Sequence, residues 1–280
     1  MSQLELSLDT GVSARHISCI ETGRAHPSRR MLLRLAAQLD IPLRERNRLL
    51  LAAGYAPAYQ ETSLTDPAMW PARAAIDRLL AAHEPFPALV ATAGWRLVAA
   101  NRPLLWLLQG LPDGLLREPV NVLRLALHPD GLITRVRNPA AWRRYLEARL
   151  RHAARASADP ELVELEREVR GYPAPDRHAV RDSEPNGLFA TIRLRHHDLD
   201  LAFITTVATF GTPLDITAAE LVIESLYPAD PETARAMADH AHLFPDRRCQ
   251  LIGRPTIAGN ETVPYTRSRR NSNSISGKEV

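Results

Sequence analysis

The sequence predicts an α+β protein in which an all-α bundle at the N-terminus precedes a larger α/β domain. Three observations lead to this prediction. Short helical segments with good capping residues fill about the first 58 positions. Beyond them, apolar strand-like segments and amphipathic segments occur together, as expected for helices packed against a sheet. The 280 residues are enough for about two domains.

Charge is distributed unevenly along the chain. The formal net charge is +3, and residues 1–59 hold eight arginines against five acidic residues. Residues 60–246 hold twenty basic residues against twenty-five acidic ones. A basic N-terminal part suits a polyanion such as nucleic acid, whereas the acidic middle part carries no such signal.

The sequence shows no sign of a membrane or secretory segment. No stretch approaches the roughly 18–20 uninterrupted apolar residues of a membrane helix, and Met1 is followed by Ser-Gln-Leu-Glu rather than by a basic and then an apolar region. Cys19 and Cys249 lie far apart, which argues against a disulfide framework. We therefore expect a cytoplasmic protein with no membrane partner.

The first two helical segments are separated by a tight turn. Residues 3–10 predict one helix, and Gly11 follows it at a position where a left-handed turn is easy only for glycine. Ser13 is a good N-cap for a second helix over residues 14–20. A helix, a tight turn and a second helix form the helix-turn-helix arrangement, which places the second helix in the major groove of DNA.

The second helix has a polar outer face near its N-terminus. Arg15 can donate two hydrogen bonds to a guanine, while Gln3 and Ser13 lie at helix N-termini, where backbone amides and the helix dipole favour phosphate. The alternative is a small helical bundle without DNA contact. The residues on this face are Ser13, Ala14, Arg15, Ser18 and Cys19.

Two more helices complete the bundle, and a linker and a tail flank the second domain. Ser28 caps a helix over residues 29–39, and another helix begins near Pro42. Residues 59–71, rich in proline and polar residues, predict a linker. Residues 246–280 are poor in apolar residues, so we expect a disordered tail.

A series of short motifs marks the N-terminal segment. Ser-Gln comes first, Gly-Val-Ser and Ile-x-x-Ile-Glu-x-Gly-x-x-x-Pro follow, and Leu-x-x-Leu-Ala-x-x-Leu comes last. Over about residues 2–58 the segment resembles the XRE family of helix-turn-helix regulators, which implies a five-helix bundle that binds double-stranded DNA. By position, the resemblance implies that Ser13, Ala14, Arg15 and Cys19 face bases and that Gln3, Thr22, Arg24 and Ser28 lie near phosphates.

The sequence departs from this family at its start. Family members have a first helix, usually basic, before Ser-Gln, and no such helix precedes Ser-Gln here. We therefore expect an incomplete, truncated bundle that binds DNA weakly. The apolar residues expected to lose part of their cover are Leu4, Leu8, Ile17, Leu32 and Leu35.

Residues 72–245 predict a sheet with helices around it. Residues 88–92 and 95–99 form a candidate hairpin followed by a helix that Asn101 caps, as at the beginning of a PAS-like sensor sheet. Residues 220–227 fit either a strand or a helix. The other predicted elements are helices over 72–83, 122–127, 139–156, 160–170 and 230–242 and strands over 188–195 and 199–210.

Four segments of this domain carry a second resemblance: VATAGWRLVAANRPLLWLL, PVNVLRLALHPDGL, NPAAWRRYLEARLRH and TTVATFGTPLDITAAELVIESLYPAD. They resemble the MmyB-like ligand-binding domain that often follows an XRE module. The resemblance implies a PAS-like sheet around an apolar pocket and a small apolar ligand such as a fatty acid. No motif assigns the ligand contacts. Large residues expected near the pocket, a type that more often belongs to the core, are Trp95, Trp106, Trp142 and Phe210.

The sequence offers no convincing metal or catalytic site. The densest histidine groups come without cysteines or carboxylates at zinc-site spacing, and adjacent histidines on a strand point to opposite faces. No phosphate loop and no motif of a catalytic serine is present. We therefore expect no metal, no cofactor and no enzyme activity. The histidine groups are His196-His197-Asp198 and His240-x-His242.

Together these features predict a sequence-specific transcriptional regulator in which a small apolar ligand changes the affinity for DNA. We expect a homodimer, because one recognition helix reads few base pairs and two half-sites roughly double the binding free energy. Two alternatives stay open. One is a protein-interaction module whose bundle does not bind DNA, and the other is a small-molecule enzyme in the second domain.

Overall fold

A computed structural model describes most of the chain. The described residues are 2–157, 159–173, 190–245 and 250–251. No helix within these ranges is long and apolar enough to cross a membrane. Part of the predicted strand over 188–195 and most of the predicted tail lie outside the described residues.

The four expected helices of the N-terminal bundle are present, and three of them begin at a serine N-cap. Ser2 and Glu5 form a capping box at the first helix. Ser13 accepts a hydrogen bond from the backbone of His16, and Ser28 caps the third helix in the same way. The helices are α1 (Gln3–Thr10), α2 (Ala14–Glu21), α3 (Arg29–Gln38) and α4 (Leu43–Ala52).

Apolar cover in the bundle is uneven. Leu4 and Leu8 on α1 are 65% and 76% exposed, in line with the sequence-based expectation. Ile17 is buried, contrary to that expectation, because α1 packs against both α2 and α3 and covers the inner side of α2. Leu32 and Leu35 are half-buried. The exposed leucines of α1 therefore lie on its outer side.

The predicted linker over residues 59–71 is folded onto the rest of the molecule. The amide and hydroxyl of Thr62 donate to the carboxylate of Asp215 at 3.0 and 2.6 Å. The side chain of Asn47 on α4 donates to the carbonyl of Tyr59 at 2.7 Å. The interpretation as a plain linker is therefore corrected, because polar side chains from both domains satisfy its backbone.

Six antiparallel strands form one sheet with the order β3-β4-β5-β1-β2-β6. β5 lies at the centre between β4 and β1, so the region that the sequence left open between strand and helix is a strand. The expected hairpin at the start of the sheet, followed by a helix, is also present. The strands are β1 (Ala88–Thr92), β2 (Leu97–Ala100), β3 (Thr191–His196), β4 (Leu199–Thr209), β5 (Leu221–Pro228) and β6 (Gln250–Leu251).

β6 corrects one further expectation. Gln250 and Leu251 belong to the segment predicted to be a disordered tail, but they pair with Ala100 and Ala99 of β2. The exposed edge of β2 offers backbone donors and acceptors that this short segment satisfies. The prediction for residues 246–249 and 252–280 falls outside the described residues.

Helices cover both faces of the sheet. On one face, Ile76 and Leu80 of α5 (Trp70–Ala82) pack against Val90 and Ile223. The other face carries the larger core, which includes Trp142. The remaining helices are α6 (Arg102–Leu107), α7 (Asp113–Leu116), α8 (Val122–Leu127), α9 (Pro139–Ser157), α10 (Pro160–Gly171), α11 (Ile216–Ala219) and α12 (Pro231–Asp239).

Candidate nucleic-acid interface and apolar cavity

The exposed side of α2 carries the residues predicted to face bases. Arg15 is exposed, and its guanidinium makes no hydrogen bond or ion pair with any described residue. Ser13 is exposed at the N-cap, while Ala14 and Cys19 are half-buried. A free arginine two residues after an N-cap stands where recognition helices read base edges. Base contact by these four residues stays a prediction.

Arginines of the bundle fall into two groups. Those on α4 are engaged within the protein: Arg44 binds two glutamates, Arg46 donates to the carbonyl of Ile41, and Arg48 pairs with Glu45. The others are exposed and have no such partner among the described residues, so their charge is available to phosphate. These exposed arginines are Arg15, Arg24, Arg29, Arg30 and Arg34.

Residues predicted to lie near phosphates have different local roles. The amide of Gln3 donates to the carboxylate of Glu21 at 2.5 Å, and the hydroxyl of Thr22 donates to the carbonyl of Ser18 at 2.8 Å. Ser28 caps α3, and Arg24 is exposed. Sequence reasoning left out Arg29, Arg30 and Arg34, although the Arg-Arg pair at the start of α3 was a visible signal.

An apolar cavity of about 80 Å³ lies inside the second domain, on the face of the sheet opposite α5. Side chains from the strands and from α6, α8 and α9 line it, among them Leu104, Leu123 and Leu146. Apart from the indole rings, its polar side chains are Thr205 of β4 and Glu224 of β5. A cavity with this lining favours an apolar molecule.

Two of the four large residues expected near the pocket line this cavity. They are Trp95 and Trp142. Trp106 instead packs in the core against His196 and Phe244, with ring centroids 4.2 and 5.5 Å away. Phe210 packs with the core on the opposite face of the sheet, beside α5. The structure therefore places Trp106 and Phe210 away from the cavity.

Trp95 occupies an unusual backbone conformation at the cavity wall. Its φ is +63°, in the left-handed region that a bulky residue rarely adopts. The surrounding backbone holds it there, because its amide donates to the carbonyl of Thr92 at 2.9 Å and its carbonyl accepts from Val122 at 2.8 Å. Strain of this kind persists where the neighbouring structure enforces it, and it often marks a functional position.

A partly buried ion pair borders the cavity. Arg149 of α9 donates to the carboxylate of Glu224 at 2.7 Å, and its guanidinium carbon lies 4.7 Å from the centre of the Trp95 ring. Beyond this pair lies an outer groove of about 560 Å³, which shares Leu89, Trp95 and Glu224 with the cavity. Sequence reasoning missed the pair, although a glutamate at a core-facing position of a strand is a recognisable signal.

β5 connects the cavity to the bundle. Arg44 of α4 donates to both carboxylate oxygens of Glu220 at 2.7 and 2.9 Å, and it also binds Glu61. The two carboxylates raise the pKa of Arg44. Glu220 directly precedes β5, and Glu224 lies four residues further along the same segment. β5 therefore contains a residue that lines the cavity, and the residue directly before β5 contacts the N-terminal bundle.

The adjacent histidines lie at the end of β3. His196, the last residue of β3, is buried beside Trp106, whereas His197 is exposed in the turn that follows. The expectation that they point to opposite faces of a strand is wrong, because His197 lies beyond the strand and the two ring centroids are 4.3 Å apart. Burial, followed by the nearby charges of His197 and Arg135, lowers the pKa of His196 to about 4. Within the described ranges, no group of three or more potential metal ligands is found.

Comparison with known families agrees with this architecture. The model of the MmyB-like transcription regulator ligand binding domain matches residues 72–239, which is more than half of the chain. A helix-turn-helix model matches residues 1–46. No curated protein matches the sequence. The chain therefore belongs to the family of proteins with an MmyB-like transcription regulator ligand-binding domain, here preceded by an XRE-type helix-turn-helix.

Proposed function

We propose that the protein is a sequence-specific DNA-binding transcription regulator whose DNA affinity changes when a fatty-acid-like molecule enters the apolar cavity. The observation that carries this proposal is that one strand, β5, borders the cavity and is preceded by the glutamate that holds Arg44 of the bundle. A ligand can shift an equilibrium only through different affinities for two states, and a contact between domains provides two such states.

Cavity size constrains the ligand. A volume of about 80 Å³ is smaller than the roughly 150 Å³ in which an apolar cavity holds benzene. A chain-like ligand therefore needs the side chains between the cavity and the outer groove to move apart. These are Leu89, Trp95 and Glu224. The chain would occupy the cavity, and an acid group would meet Arg149 at the border.

Movement of the residues between the cavity and the outer groove links ligand binding to DNA affinity. Glu224 and Leu226 of β5 face the cavity, so a ligand that enlarges it displaces this strand. Displacement of β5 changes the position of Glu220, and with it the contact to Arg44. Because α4 belongs to the same bundle as α2, the orientation of the recognition helix depends on this contact. A coupling free energy of about 1–3 kcal/mol is typical of such linkage.

The assembly and the cellular setting are part of the same proposal. We propose a homodimer in the cytoplasm, since one α2 helix reads few base pairs and two half-sites supply the specificity. The second domain senses the ligand rather than transforming it. Its cavity carries few polar groups, and a catalytic site needs several that converge on one reacting atom.

The test uses the full chain stripped of apolar molecules by organic extraction under native conditions. Duplexes selected from a random pool supply the target, and anisotropy gives the dissociation constant with and without a fatty acid of eight to twelve carbons. We expect salt-dependent binding that the fatty acid changes about fivefold or more. A dissociation constant for DNA that does not change with the fatty acid would refute ligand control of DNA binding. The absence of any salt-dependent DNA binding would favour the interaction-module alternative.

A further inference from the structure

Two residues that line the cavity carry buried polar atoms without a hydrogen-bond partner. Three buried side-chain atoms have no hydrogen-bond partner among the described residues: Trp142 Nε1, Thr205 Oγ1 and His196 Nε2. Trp142 and Thr205 both line the apolar cavity, whereas His196 does not. A buried polar group without a partner costs stability, so such groups are rare and their position calls for an explanation.

Different elements bring the two atoms to this one cavity. Trp142 lies on α9 and is 8% exposed. Thr205 lies on β4 directly across from Leu226 of β5, which also lines the cavity. Thr206, the next residue, points to the other face and donates to the carbonyl of Ser225 at 3.5 Å. The helix and the sheet therefore each contribute one unpaired polar atom to otherwise apolar walls.

The chemistry of these atoms identifies a class of ligand. An indole N–H can only donate, and a threonine hydroxyl can donate or accept. A group that satisfies both must therefore offer an acceptor. We propose that the cavity binds an apolar molecule that carries one acceptor oxygen, such as a carbonyl, held by Trp142 Nε1 and Thr205 Oγ1. This inference rests on the proposed function in one respect, namely that a ligand enters this cavity.

Arg149 and Glu224 do not serve this role. Arg149 Nη1 already donates to Glu224 Oε1 at the border of the cavity. An ion pair at the border can select the charge of a head group, but it leaves the two unpaired atoms of Trp142 and Thr205 unsatisfied. The inner oxygen is therefore a second feature of the ligand, distinct from any acid group.

The test compares 2-heptanone with n-heptane, two probes of similar size that differ by one carbonyl oxygen. Their dissociation constants for the full chain are measured by headspace partitioning. We expect the ketone to bind about tenfold more tightly than the alkane, the ratio that one neutral hydrogen bond of about 1.4 kcal/mol supplies. In the double variant Trp142→Phe with Thr205→Val the ketone should lose this advantage and bind more weakly than the alkane, because its carbonyl would be buried without a partner, while binding of the alkane is retained.

Matched controls separate a specific effect from a general one. Trp70 is 62% exposed, and Thr206 lies on the opposite face of β4. Trp70→Phe with Thr206→Val should keep the tenfold ratio. The ligand-free Thr205→Val variant, which keeps the volume of the side chain, should melt at or above the temperature of the parent, because it removes an unpaired buried group.

The outcomes distinguish this inference from the proposed function. Equal affinity of the parent protein for ketone and alkane would overturn the inference, while binding of both would leave ligand control of DNA affinity intact. A melting temperature lowered by several degrees in Thr205→Val would also overturn it, since the hydroxyl would then have a partner within the protein. Binding of neither probe, together with no effect of fatty acids on DNA affinity, would refute the proposed function itself.

Discussion

Arg44 of the N-terminal bundle and Glu220 of the second domain are joined by two hydrogen bonds of 2.7 and 2.9 Å. Their separation of 176 positions in the sequence makes this a contact between domains rather than a local one. Glu220 lies directly before β5, and this position is the basis of the proposal that a molecule in the cavity influences the N-terminal bundle.

The first prediction concerns this contact. Glu220→Gln weakens the pair without a large change in shape, so the effect of a fatty acid on DNA affinity should fall to less than about twofold. Ligand affinity should stay within about twofold of the parent. The pair is partly exposed, so the free energy of unfolding should drop by no more than about 1 kcal/mol. Anisotropy titrations and urea unfolding measure these quantities.

Glu45→Gln is the matched control for that variant. Glu45 pairs with Arg48 within α4, at 2.6 Å, and this pair does not reach the second domain. The control should keep the full response of DNA binding to the fatty acid. A response that survives in Glu220→Gln, or that is lost equally in Glu45→Gln, would show that the coupling takes another route.

A second prediction separates the roles of two exposed arginines. Arg15→Ala should cost about 1–3 kcal/mol on the preferred duplex and relax specificity at one base pair. Arg24→Ala should weaken binding to all duplexes alike and reduce the slope of log affinity against log salt by about one. Both variants are measured on the selected duplex and on scrambled duplexes over a range of salt concentrations. An equal loss on every duplex from both changes would contradict the assignment.

The partly buried pair at the border of the cavity gives a third prediction. Arg149→Gln leaves the buried carboxylate of Glu224 without its partner, so urea unfolding should show a loss of about 1–3 kcal/mol. Adding Glu224→Gln should recover a large part of it, because a neutral amide replaces the buried charge. Arg151→Gln on the same helix, half-exposed and 3.8 Å from Glu166, should cost less than about 1 kcal/mol. A similar cost for Arg149→Gln and Arg151→Gln would argue against a partly buried pair.

A fourth prediction follows from His196. Its pKa is lowered from 6.5 to about 4 by burial and by the charges of His197 and Arg135. Between about pH 6.5 and 4, His196 binds a proton in the unfolded chain but not in the native protein. The free energy of unfolding should therefore fall as the pH falls through this window. The full effect is at most about 3 kcal/mol. It should be absent in His196→Gln and retained in His152→Gln, a change at an exposed position of α9. Urea unfolding at several pH values gives the result, and an unchanged slope in His196→Gln would contradict it.

Helix positions followed from the sequence because their signals are local. Ser13 and Ser28 cap α2 and α3 as predicted, and Asn101 accepts from the backbone of Leu104 at the start of α6. The strand β5 could not be assigned from its own residues, since only pairing with β1 and β4 makes its conformation definite. In a short run of apolar residues, the sequence pattern alone does not distinguish a strand paired with distant strands from a buried helix.

The candidate site was less accessible to sequence reasoning than the fold. Trp95 and Trp142 line the cavity, but Trp106 and Phe210 do not, because residue size says nothing about the direction in which a side chain points. Four further residues that now carry the argument were missed: Thr205, Glu224, Arg149 and Arg44. The role of each residue depends on a neighbour that is distant in sequence, and the tertiary fold determines which residues become neighbours.

The most direct test of the central claim is the affinity of the protein for its ligand with and without DNA. Coupling between two sites is reciprocal, so DNA must change ligand affinity by the same factor by which the ligand changes DNA affinity. The account predicts that saturating duplex shifts the dissociation constant of the fatty acid about fivefold or more and that this shift disappears in Glu220→Gln. An identical dissociation constant in the free and DNA-bound protein would contradict the coupling of the cavity to the DNA-binding bundle.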